Sequence, residues 1–86
     1  MGEYRSLGEL CPGERGQVRA LRLSGSMRRR LRDLGLVEGT EVACLGVSPL
    51  GDPASYQVRG AVLALRRADS GRIEVEVRQG GERGWA

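Results

Sequence analysis

Four arginines within five residues, Arg28, Arg29, Arg30 and Arg32, form the densest chemistry-bearing cluster in the sequence. Guanidinium groups at this spacing can grip phosphates, carboxylates or an acidic protein surface. The usual tools of catalysis are missing around them. Histidine is absent, which removes the commonest general base and metal ligand. Cys11 and Cys44 have neither a Cys-x-x-Cys partner nor a histidine at metal spacing, so they read as a turn cysteine and a buried strand cysteine. Asp52 lies between Gly51 and Pro53, where an Asx-type turn explains it better than a catalytic carboxylate. No catalytic residue, cofactor site or metal site is expected.

Three kinds of partner compete for the arginines. Nucleic acid is the tempting one, but the net charge is only +3, from 14 basic residues against 11 acidic. A field that modest pulls weakly on polyanions. Stacking platforms are scarce too, with only Tyr4, Tyr56 and Trp85 available, and a chain this short has no room for a winged helix-turn-helix. A proline-rich peptide would need an aromatic-lined groove that the composition cannot supply. An acidic protein surface remains, with Arg28, Arg29 and Arg32 as a docking patch. Leu50 and Asp52 in the Pro-Leu-Gly-Asp-Pro loop, and whichever side of residues 61–65 is not core, are the further contact candidates.

The elements that must position these residues follow from periodicity. With 86 residues the chain makes one small domain, and with no phenylalanine its core must come from Leu, Val, Ile and Ala. Residues 1–5 lack a pattern and read as frayed. Pro12 and Gly13 make a turn, with Gly13 at positive φ. Residues 16–23 alternate as a strand. The period then switches: Met27, Leu31 and Leu34 fall on one helical stripe, with Arg28, Arg29 and Arg32 opposite. Ser24 or Ser26 can cap the start of this helix, and Gly35 can take the left-handed position that ends it.

Residues 40–47 and 56–59 alternate again as strands, and Gly60 allows a bulge or bend. The apolar run 61–65 implies burial on both sides, or one face inside and the other against a partner. Residues 68–71 read as a turn. Ile73, Val75 and Val77 alternate cleanly with charged neighbours. Gly80, Gly81 and Gly84 make a flexible tail carrying a mobile Trp85. The expectation is a mostly β fold: a small barrel of about five antiparallel strands, with one short helix inserted after the first. The barrel spans 6–78, with 1–5 and 79–86 as flexible termini. No signal-like or membrane-length apolar run is present, and a reducing cytosol suits the two separated cysteines. Edge strands in so small a barrel leave room for weak self-association.

Four stretches together resemble the FeoA family: Leu7-x-x-Leu10-x-Pro12-Gly13-Glu14-x-Gly16-x-Val18, then Arg30-Leu31-x-x-Leu34-Gly35-Leu36-x-x-Gly39-Thr40-x-Val42, then Pro49-Leu50-Gly51-Asp52-Pro53, and Val58-x-Gly60-x-x-Leu63-Ala64-Leu65-Arg66. Two departures lie in turns: Ser48 stands where the family often has alanine, and Asp69-Ser70 replaces Glu-Ala. The resemblance implies a Src-homology-3-like (SH3-like) barrel. It also implies a cytoplasmic, non-enzymatic accessory in bacterial ferrous-iron uptake, held at the inner membrane by FeoB, the GTP-dependent transporter. An arginine reaching that transporter's GTP site is a bolder expectation. A similar barrel is appended to metal-dependent repressors of the DtxR type, so a free-standing relative of that domain, acting as a protein-interaction module, is the alternative. Direct iron binding by this chain is not expected.

Overall fold

A computed structural model of the chain describes residues 3–77. Six strands form one antiparallel sheet: β1 (Glu3–Ser6), β2 (Arg15–Leu21), β3 (Glu41–Val47), β4 (Ala54–Val58), β5 (Ala61–Leu65) and β6 (Ile73–Val77), in the order β1-β6-β2-β3-β4-β5. Helix α1 (Gly25–Asp33) joins β2 to β3, and a one-turn helix α2 (Arg67–Ser70) replaces the turn expected between β5 and β6. The sheet bends at register shifts between Val18 and Ala20 and between Cys44 and Gly46. Such bulges raise local twist, and the result is barrel-like without being closed.

The strand missing from the sequence reading is β1. Its residues from Glu3 on, expected to fray, pair from Glu3↔Val77 to Ser6↔Glu74, so α1 follows the second strand and not the first. Main-chain pairing holds β1, aided by Arg5, whose guanidinium contacts Glu3 at 3.0 Å and Glu14 at 3.3 Å. Neither interaction leaves an apolar period to read. The glycine-rich tail and Trp85 lie outside the described residues.

The core is aliphatic, as the composition requires. Val18, Val42, Val58, Ile73 and Val75 are fully buried on the concave side of the sheet, joined by Leu7 from the 3-10 turn Leu7–Glu9. Along β6 the alternation is clean: Glu74 and Glu76 point outward and meet Arg22 at 3.5 Å and Arg19 at 2.6 Å. Tyr56 is the one aromatic in this core among the described residues, and its hydroxyl donates to the Leu7 carbonyl at 3.4 Å. β4 and β5 meet in a two-residue turn in which Arg59 (φ 52°) and Gly60 (φ 83°) are both left-handed. That is the backbone of a type I′ hairpin, a tighter solution than the bulge expected at Gly60.

Helix α1 starts at Ser24, which is extended (φ −138°) and makes no side-chain cap bond. Its end is a complete Schellman closure: Gly35 N–H donates to the Arg32 carbonyl at 3.0 Å and Leu36 N–H to the Leu31 carbonyl at 2.9 Å, with Gly35 at φ 98°. Leu31 and Leu36, which usually touch in this motif, are both buried. Thr40, also buried, donates its hydroxyl to the Gly35 carbonyl at 3.0 Å and so closes the loop after the helix.

One position on the expected helical stripe departs from it. Leu31 is in the core and Met27 packs on it, but Leu34 is 40% exposed. The reason is the closure itself, which turns the chain at Gly35 and sends Leu36 into the space that a continuing helix would have given Leu34. Leu31→Ala should therefore cost about 2–5 kcal/mol in urea denaturation, whereas Leu34→Ala should cost less than about 1 kcal/mol. Equal losses would mean that Leu34 is a core residue after all.

Candidate functional site

The geometry assigns the sequence-predicted contact residues to different tasks. Arg28 is engaged internally: its guanidinium donates to the Leu21 and Leu23 carbonyls and ties the start of α1 to the end of β2. Asp52 is engaged as well, accepting the Arg67 N–H at 2.9 Å and so capping α2. Leu50, in contrast, is 93% exposed. Arg29 and Arg32 are exposed, with no side-chain hydrogen bond or ion pair among the described residues. Among the described residues no side-chain hydrogen bond or ion pair joins the 49–53 loop to α1.

A site that the residue types do not announce lies between α1 and β5. Met27, Leu31 and Leu34 form one wall, Val62, Leu63, Ala64 and Leu65 form the other, and Arg30, Arg66 and Asp69 sit at the rim of a groove of about 520 Å³. Val62 is 62% exposed. The signal for this site is the apolar run 61–65, of which Leu65 is buried while Val62 is left open to solvent. The helical stripe places Leu34 in the core, which hides it from the site.

Charge separates this face from the rest. On the strands arginines meet glutamates: Arg5 with Glu3 and Glu14, Arg15 with Glu41, Arg19 with Glu76, Arg22 with Glu74. On α1 and after β5 no such pairing occurs among the described residues, leaving Arg29, Arg30, Arg32 and Arg66 uncompensated. Pairs this exposed add little stability, but they cancel the field over the sheet. Of these, Arg30 and Arg66 stand at the groove, with Asp69 beside them, while Arg29 and Arg32 lie on the other side of α1 from its apolar stripe.

The remaining chemistry-bearing groups look structural. No group of three or more His, Cys, Asp or Glu is placed to hold a metal ion among the described residues. Nor is any helix among them long and apolar enough to cross a membrane. Cys11 is exposed and Cys44 buried, each a free thiol. Burial pushes the Cys44 thiol and the Tyr56 hydroxyl up from their ordinary ranges. The Ser48 hydroxyl is buried with no hydrogen-bond partner among the described residues.

The FeoA domain family matches residues 5–77. A fusion of Fe(2+) transport protein A with the Fe(2+) transporter FeoB from Porphyromonas gingivalis is 32% identical over 71 residues, covering 83% of this chain. The chain spans only 8% of that much longer relative. Among solved structures, the FeoA protein of Chlorobium tepidum is 39% identical with a TM-score of 0.83, over 87% of this chain and 71% of that one. A Stenotrophomonas maltophilia FeoA solved with zinc, a prokaryotic SH3-domain protein, is 31% identical with a TM-score of 0.70, over 88% and 92%. A manganese-dependent transcriptional repressor, 18% identical with a TM-score of 0.75 over 91% of this chain and 44% of that one, shares the fold alone.

Two outcomes follow from the thiols and the serine. At neutral pH a thiol reagent should modify Cys11 promptly and Cys44 only on unfolding. Because burial makes the folded state hold the Cys44 proton more tightly than the unfolded chain does, stability is full below about pH 8.5 and falls as pH rises beyond it. Cys44→Ala should flatten that alkaline loss in thermal melts at a series of pH values. Ser48→Ala removes a buried hydroxyl that has no partner and should raise stability by up to about 1 kcal/mol; a lower Tm would mean that the hydroxyl is bonded in solution.

Proposed function

The chain belongs to the FeoA family, whose members serve ferrous-iron transport, and from that premise we propose that it binds and modulates the cytoplasmic part of a FeoB-type, GTP-dependent ferrous-iron transporter. The observation that carries this reading is the Porphyromonas gingivalis relative, in which the two proteins are one chain. Covalent linkage holds a domain beside its partner at a high effective concentration, so even a weak contact is occupied. A separate chain must supply the missing affinity from its own surface. The exposed α1 arginines and the apolar residues near them are suited to that: the arginines steer an acidic partner, and the apolar contacts hold it.

In this reading Arg29, Arg32 and Leu50 touch the transporter. Arg28 anchors α1 and Asp52 holds the 49–53 loop on α2, so these two act by keeping the contact surface in shape. The role is non-catalytic, and the protein works at the inner face of the membrane through its partner. Charge reversal at both Arg29 and Arg32 should weaken co-purification with the transporter about tenfold or more, with the variant still folded by circular dichroism. Unchanged capture would reject the helix face. GTP turnover by the transporter, measured with the wild-type and Arg-to-Ala chains, would report whether binding also changes hydrolysis.

A further inference from the structure

Strand β5 pairs with β4 and with no other strand, so one edge of its backbone is left without a ladder. Edges are normally protected by charge, proline or a bulge. β5 reads Ala-Val-Leu-Ala-Leu and pairs with β4 in unbroken register, so it has none of these. The opposite edge of the sheet is different. β1 reads Glu-Tyr-Arg-Ser, and Arg5 holds carboxylates on either side of it. Among the described residues both β1 and β5 end the sheet, and it is the uncharged one, β5, that lines the groove with the apolar side of α1.

We propose that the groove receives an extended segment of the partner protein, which adds to β5 as a seventh strand. Its apolar side chains, at alternate positions, would sit between Leu34 and Val62, and acidic residues at its ends would meet Arg30 and Arg66. An extended occupant is favoured over a helix because only an extended chain can use the unpaired N–H and C=O groups of the edge. A foreign acidic segment is favoured over a second copy because Arg30 and Arg66 at the groove call for acidic residues, and the β5 of a second copy, Ala-Val-Leu-Ala-Leu, carries none. Asp69 also lines the rim and offsets part of this charge. The proposal rests on the transporter reading only for the partner's identity, not for the binding mode.

The test uses the full chain and a synthetic blocked peptide of alternating valine and threonine with two acidic residues at each end. NMR titration should move the amide resonances of residues 61–65 and slow their hydrogen exchange. A peptide with lysine ends should bind about tenfold more weakly, and one N-methylated at alternate amides should not bind. Val62→Lys and, separately, Leu34→Glu should each weaken binding about tenfold or more while the chain stays folded. Shifts confined to other surfaces, or undiminished binding of the N-methylated peptide, would overturn the proposal, as would peptide-free association of two chains through β5. Peptide addition at β5 without transporter capture would keep this inference and reject the transporter reading. Transporter capture that is unaffected by Val62→Lys would do the reverse.

Discussion

A nine-residue helix cannot sustain itself in water, and the burial of Leu31 is what α1 depends on. The other attachments lie at its ends: Arg28 on the carbonyls of β2 at the start, and the Schellman closure with Thr40 beneath it at the finish. Held at three points, the helix forms one wall of a groove whose other wall is β5. The space left between them is the groove. Had the chain continued helically past Leu34, that side chain would have been drawn inward and the groove would have narrowed or closed. The glycine that ends the helix therefore decides whether the molecule has a binding face.

Charge follows the same division. In the sheet, Arg19 at the β2 bulge and Arg22 just past the end of β2 reach Glu76 and Glu74 of β6, whose register partners are Gln17 and Ala20, and the opposite charges cancel. The helix has no facing strand on its outer side, and its arginines keep their full field. A net charge of +3 thus understates what an approaching partner meets, because the neutralised and uncompensated charges lie on different faces. At physiological salt such a field reaches only about 8 Å, so it orients a partner at contact and does not recruit one from afar.

Much of this is legible in the amino-acid sequence. The helix, its glycine stop, the alternation of β6 and the aliphatic core all follow from periods of two and 3.6 and from the lack of large aromatics. What escapes is held by interactions without a period. β1 is a strand because of main-chain pairing to residues some seventy positions away, and its side chains are mostly wet. Leu34 fits the apolar stripe by position, and only the closure geometry turns it outward. Arg28, Arg29 and Arg32 look alike in sequence, yet one is tied to carbonyls while the other two are not, a distinction set by where β2 ends. The apolar run 61–65 carries two readings, and only the strand order, which places β5 last in the sheet, separates them.

An open apolar edge is ordinarily a hazard, since it invites pairing with any exposed strand. Here two features limit what can approach. The wall formed by α1 leaves a groove in place of an open edge, and the two arginines at its rim, offset in part by Asp69, favour an acidic occupant. Together they suit the edge to the acidic, extended segment proposed above better than to an arbitrary exposed strand. A manganese-dependent repressor of 18% identity shares the fold alone, and what folding constrains here is the inward half of the pattern. The outward half, the α1 arginines and the edge of β5, is left free by folding, and the proposed contact uses that half.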